Sequence, residues 1–154
     1  LAAAALQAGV PVTFIGDGPL RDRVHQLNPK ARVTGWLDRD GVHRELERAR
    51  VLCMVSRWYE GLPLVVGEAL SKGIPALVAD GCAGQEAIIP GETGVTFRGG
   101  NVDDLATKLA ALSDNAMVDR LGRAAYQRFW EAPPTLERHL LALERIFGRA
   151  LGHG

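Results

Sequence analysis

Residues 60 to 75 read Glu60-Gly61-Leu62-Pro63-Leu64-Val65-Val66-Gly67-Glu68-Ala69-Leu70-Ser71-Lys72-Gly73-Ile74-Pro75. A turn-forming E-G-L-P runs into an apolar segment, and Pro63 suits the first helical position, where its fixed φ helps and its missing N–H costs nothing. The pattern predicts a helix over 64–72, stopped by Gly73 with Pro75 beyond it. Short apolar runs at 51–55 and 76–78 flank that helix and read as buried strands. Strand, helix and strand joined by short turns build a parallel sheet, because a parallel return needs a crossover of this length. Glu68 is the only acid in the apolar segment, and a carboxylate there is costly unless something hydrogen-bonds to it. The helix start offers free N–H groups at Leu62, Leu64 and Val65 together with the positive end of the helix dipole, which makes an anion site. At about 1.5 Å rise per residue, Glu68 lies roughly 7–8 Å from that site. The offset suits a diphosphate at the helix start and a ribose hydroxyl pair at Glu68. The plain alternative is that Glu60 closes a turn and Glu68 is an ordinary half-exposed helical acid.

The same alternation continues on both sides. Strand-like runs at 10–15, 31–34 and 95–97 join the two already named, and helical patterning covers 20–27, 41–50, 84–89, 102–112, 115–129 and 134–151. This order predicts an α/β fold with a doubly wound, mainly parallel, Rossmann-like sheet. Ligands in such sheets bind at the carboxyl ends of the strands. The turns after Ile15, Val33, Val55 and Val78 all fall on that edge. No internal repeat or low-complexity tract interrupts the pattern.

Composition narrows the functions open to the chain. Its 154 residues suffice for one domain with a real core. Eighteen basic and eighteen acidic residues cancel, which removes the electrostatic case for nucleic acid or an acidic membrane surface. No apolar run reaches the length of a membrane span. Leu1 is not an initiator Met, and the alanine-rich start lacks a basic n-region, so we read it as the tail of a helix in a fragment. Cys53 and Cys82 are far apart and form no C-x-x-C, so a reduced, cytoplasmic protein is expected.

Several stretches resemble the group 1 family (family 4) of retaining glycosyltransferases of GT-B fold. Residues 60–76 match its E-G-F/L-G/P-x4-E-A-x-A-x-G-x-P-V signature, with Ser71 in place of a small apolar residue and Ala76 in place of valine. Gly16-Asp17-Gly18-Pro19-Leu20-Arg21 is similar to its G-x-G-P-x-R/K turn, and Val33-Thr34-Gly35-Trp36-Leu37 to its V-x-F-x-G-x-L/V strand. Ala83-Gly84-Gln85-Glu86-Ala87-Ile88 and Gly91-Glu92-Thr93-Gly94 resemble its G-x-P-E and G-x-T-G segments, with Gln85 where proline is usual. Phe129-Trp130 resembles its closing F-S-W.

The resemblance implies that residues 1–154 are the C-terminal, nucleotide-sugar-binding half of such an enzyme, lacking the first strand–helix unit. Glu60 would lie near the donor sugar as the catalytic residue and Glu68 would grip the ribose. The backbone of Gly61, Leu62 and Leu64 would hold the diphosphate. Gly16, Gly18, Arg21, Trp36, Leu37 and Ser56 would line the nucleotide pocket. The implied partners are a nucleotide sugar and the absent N-terminal half. No metal or other cofactor is implied, and membrane association would be peripheral and belong to the parent alone. The nearest rival is a sugar-nucleotide epimerase of GT-B fold, and a more distant one is a flavodoxin-like interaction module without catalysis.

Taken singly, the other candidate residues keep plainer readings beside these. Gly16-Asp17-Gly18 is equally a tight strand-to-helix turn, and Arg21 an exposed first-turn arginine. Asp38-Arg39-Asp40 has the D-x-D form of some metal sites, yet before a helix aspartate is a natural cap. Trp36 can instead fill the sheet edge, and Ser56 can cap a strand end. The histidines His25, His43, His139 and His153 have no triad or metal spacing and read as surface residues. Glu86 reads as structural, near the start of a short helix.

Overall fold

The computed structural model describes every residue except 59, 60, 62, 153 and 154. Its elements run α1 (Ala2–Ala8), β1 (Thr13–Phe14), α2 (Arg21–Leu27), β2 (Arg32–Val33), α3 (Arg39–Glu47) and β3 (Leu52–Met54). They continue with α4 (Leu64–Ser71), β4 (Ala76–Ala79), a 3₁₀ turn at Ala83–Ala87, β5 (Gly94–Phe97), α5 (Val102–Ala111), α6 (Asn115–Glu131) and α7 (Leu136–Ala150). Strand and helix alternate as the apolar runs require, and every paired strand is parallel to its neighbour. The fold is therefore α/β and Rossmann-like.

The expected single sheet is divided. β1 pairs with β2, and β3, β4 and β5 form a second sheet in that order. Register runs Thr13 to Arg32 in the first, and Leu52 to Ala76 and Ala76 to Gly94 in the second. No described strand bridges β1 and β3, so each keeps an unpaired edge. The residues of β3 are accordingly only half-buried, whereas β4, paired on both sides, is buried throughout. Strands are also shorter than the apolar runs. Pro11 lacks an N–H for a ladder, Val10 packs against the core, and Val12 joins the ladder only through its carbonyl, which accepts the Arg32 N–H at 3.0 Å.

The core lies on β4. Leu77 and Val78 point to opposite faces and both are fully buried. α4 packs against α6, with Val66, Leu121 and Ala125 inside, and α1 packs against α5 through Ala4 and Ala5. Two backbone approaches allow no side chain. A Cβ on Gly122 of α6 would fall 2.4 Å from the Gly73 carbonyl oxygen, and one on Gly94 would fall 2.4 Å from that of Ala76. Arg50 closes the end of α5, donating through Nε to the Leu112 carbonyl (2.8 Å) and through Nη2 to that of Ser113 (3.0 Å). α7 is capped by Thr135, whose hydroxyl accepts from the Arg138 N–H, and carries Leu136, Leu140 and Phe147 exposed along one stripe.

Local departures from the sequence reading have local causes. α3 begins at Arg39, two residues earlier than the pattern suggests, because Asp38 caps it by accepting the Gly41 N–H at 2.7 Å. Asp40 lies in the first turn, where its charge suits the dipole. Pro63 is the N-cap of α4 with extended backbone, and not its first helical residue. The short helix expected near 84–89 is a 3₁₀ turn over Ala83–Ala87, and Gly84 within it lies close to Met54, Cys82 and Val78. His25 and His43 are half-buried and not surface residues, and the His43 Nε2 is buried without a hydrogen-bond partner among the described residues. No helix among the described residues is long and apolar enough to cross a membrane.

Candidate functional site

The turns that follow β1 and β2 are locked to each other. Gly16 donates its N–H to the Gly35 carbonyl at 3.0 Å across an isolated antiparallel bridge. Gly16 has φ 126° and Gly35 φ 73°, conformations that side chains disfavour, which explains both glycines at this edge. Asp17 organises the next turn: its Oδ1 accepts the Gly18 N–H at 2.8 Å and its Oδ2 accepts from Arg21 at 3.0 Å. The Gly18 N–H and the Arg21 guanidinium are thus engaged within the turn, and either would have to leave Asp17 to meet a phosphate. Trp36 projects from the neighbouring turn with 83% of its surface exposed, so it does not fill the sheet edge. Leu37 beside it is partly exposed.

A second cluster forms where β3 ends. Ser56 Oγ accepts the Trp58 N–H at 3.2 Å and lies 3.3 Å from the Trp58 carbonyl, a local turn of the capping kind. Trp58 stands 76% exposed. The Arg57 guanidinium lies beside the Gly100 backbone, where a Cβ would come within 3.9 Å of it. α4 follows, with no side-chain cap at Pro63. No described residue accepts from the Leu64 or Val65 N–H, and Leu64 is 76% exposed. Among the described residues the helix start therefore has unpaired donors together with the positive end of its dipole. Gly61 is exposed beside it. Glu68 lies on the same helix, half-buried, and its carboxylate makes no hydrogen bond or ion pair among the described residues. Glu60 and Leu62 lie outside the described residues.

The structure thus gathers the named residues into two groups at the carboxyl edges of the two sheets. Gly16, Gly18, Arg21, Trp36 and Leu37 form one, and Ser56, Gly61, Leu64 and Glu68 the other. No hydrogen bond or ion pair joins the groups among the described residues. Trp58 escaped the sequence reading; the signal available was a bulky aromatic directly after a strand, in a segment too polar to be core. Glu86 is exposed in the 3₁₀ turn at the β4 end. Burial pushes the Cys53 thiol up to about 11, which keeps it from the nucleophilic thiolate form near neutral pH. Among the described residues no cluster of His, Cys, Asp or Glu could hold a metal.

A profile of the family described as "Glycosyl transferases group 1" matches residues 1–115. The chain belongs to this family. This group 1 chain is 36% identical over 139 residues to the sulfoquinovosyl transferase SQD2 of Arabidopsis thaliana, an alignment covering 83% of the chain and 27% of that protein. It is 33% identical over 127 residues to a glycogen synthase of Mycobacterium tuberculosis, covering 78% of the chain and 30% of that protein. A structure of an S. aureus TarM mutant solved with fondaparinux, alpha-GlcNAc-glycerol and UDP superposes with a TM-score of 0.78. That likeness has 17% identity over 95% of this chain and 31% of the other, and shows the fold alone. The group 1 chain spans less than a third of the length of these relatives, and its architecture is that of one half of a GT-B fold.

Proposed function

We propose that this chain is the donor-binding half of a retaining glycosyltransferase that moves a sugar from a nucleoside diphosphate to an acceptor. The observation that carries this reading is α4: a helix start whose N–H groups have no partner among the described residues, and one carboxylate further along the same helix, Glu68, likewise without a partner among them. The N–H groups and the dipole suit the diphosphate. Glu68 accepts from the ribose hydroxyls, and Trp36 or Trp58 offers a flat apolar face to the base. The family signature assigns Glu60 the catalytic role at the donor sugar in this reading. The chemistry asks mainly for positioning and for stabilisation of the leaving diphosphate. Family membership and the UDP seen with TarM support a nucleotide sugar as ligand. The short span of the chain relative to its relatives, the unpaired edges of β1 and β3 and the exposed stripe of α7 support a second, N-terminal domain as partner. The acceptor proposed is a glycan, lipid or polysaccharide precursor, and the compartment cytoplasmic, with the parent peripheral at the inner face of the membrane.

Calorimetric titration of the chain with UDP, GDP and ADP tests this reading. One of the three is expected to bind weakly, and Glu68→Ala to weaken it about ten- to a hundredfold, the worth of one charged hydrogen bond. Equal affinity of wild type and variant would remove Glu68 from the site.

A further inference from the structure

At the opposite, amino-terminal ends of β3 and β4 lies an open groove of about 660 Å³, walled by the residues after α3, the residues after α4 and one face of α6. Its size is that of a ligand site. The floor is rigid: Ile74 and Pro75 are buried, and the Gly73 turn meets α6 backbone to backbone at Gly122. Tyr126 forms one wall with half its surface exposed. It is backed by the Trp130 ring at 6.2 Å, which is itself held through its N–H by the Ser71 carbonyl at 3.1 Å.

Around this ring stand Arg48, Arg123, Asp119 and Gln127, exposed and without a side-chain hydrogen bond or ion pair among the described residues. Guanidinium groups only donate, a carboxylate only accepts and an amide does both. A ligand that uses all four must itself donate and accept along its rim. A bare anion would meet the arginines but leave Asp119 and the Gln127 carbonyl without a donor. The formal charge of the lining is positive, with Arg48, Arg50 and Arg123 against Asp119, and the carbonyl ends of α3 and α4 offset part of it. Lys72 is already paired with Glu47 at 2.7 Å. A purely apolar ligand would strand the four polar groups. A sugar ring satisfies both demands, since its C–H face stacks on an aromatic ring while its hydroxyls donate and accept around the edge.

We infer that this groove is a holding site for a neutral glycan chain, separate from the nucleotide edge at the other end of the same strands. That the glycan is acceptor or product of the transfer rests on the function proposed above; its binding in the groove does not.

The test follows backbone and side-chain amide resonances of the isotopically labelled chain during titration with maltoheptaose, laminarihexaose and mannohexaose, with inorganic phosphate as the anionic probe. Saturable shifts at Gly73, Gly122 and the Gln127 side chain are expected with at least one glycan. Tyr126→Ala and Asp119→Asn should each weaken them about fivefold, the scale of one aromatic or polar contact, while Tyr126→Phe retains binding. UDP affinity, measured on the same samples, should be the same in all variants, so loss of nucleotide binding and loss of glycan binding are read separately. No saturable shift with any glycan, shifts with phosphate alone, or equal glycan affinity in Tyr126→Ala and Asp119→Asn would each overturn the assignment.

Discussion

Asp38 shows how a single side chain settles between two chemistries. In D-R-D it could face a metal, but its Oδ1 is spent on the Gly41 N–H at 2.7 Å, and Asp40 lies in the first turn of α3. Asp38→Ala should therefore cost about 1 kcal/mol of stability through the lost cap. Nucleotide affinity should be the same with EDTA as with Mg²⁺ or Mn²⁺ in wild type and variant alike. Denaturant melts and titrations with and without chelator check both halves, and abolition of binding by EDTA would restore the metal reading. The cap was legible because aspartate before a helical pattern has a specific job there. Trp58 was not, because nothing in its neighbours says that the chain leaves the core at Ser56; only the geometry after β3 does. The occupation of the Gly18 N–H and Arg21 by Asp17 was hidden likewise, since G-D-G-P reads the same whether its donors face a ligand or their own turn.

At the scale of elements, α3 is tied to β2 by Arg32 and Glu45, which meet in two bonds of 2.5 and 2.6 Å. The hydrogen bonds from Arg32 hold the Glu45 carboxyl below its ordinary value of 4.5. A carboxyl lowered in the folded state adds stability that is complete above the unfolded value and is lost as pH falls through the folded one. Stability should thus decline as pH falls below the ordinary carboxylate value, and Glu45→Gln should flatten part of that decline, as read by denaturant midpoints across the acid range. An unchanged slope would mean that the pair is solvent-screened. α4 and α6 meet with no room to spare at Gly73 and Gly122. Gly122→Ala should cost about 1–3 kcal/mol by overpacking, a fall of several degrees in melting temperature. The elements themselves were legible from apolar runs punctuated by Gly and Pro. Their pairing limits were not, because a strand's length depends on its neighbour: 10–15 pairs only at Thr13 and Phe14, while 76–79, flanked on both sides, pairs throughout. The groove beneath Tyr126 was equally invisible, since it joins segments distant in sequence, at the ends of two helices and along one face of a third.

At the scale of the whole molecule, the divided sheet and the reach of catalysis belong to one argument. β1 and β3 each present an unpaired edge, and α1, which begins at Ala2, packs on α5 instead of extending along either strand. Open edges of this kind invite pairing with another chain. Association that rises with concentration is therefore expected for the 154-residue chain, read by light scattering. The same openness bears on chemistry. Transfer between a nucleotide sugar and an acceptor needs a cleft closed on both sides, which positions the reacting atoms and keeps out water that would otherwise hydrolyse the donor. Here Trp36, Trp58 and Leu64, in the proposed donor site, face solvent, with no opposing wall among the described residues. Without an acceptor wall to close over the reacting atoms, transfer should fall below detection even where the nucleotide binds. A radiolabelled transfer and donor-hydrolysis assay on the chain, run beside its full-length parent, measures this directly: nucleotide binding without turnover is the expected result, and turnover comparable to the parent would show that the catalytic groups lie within these residues.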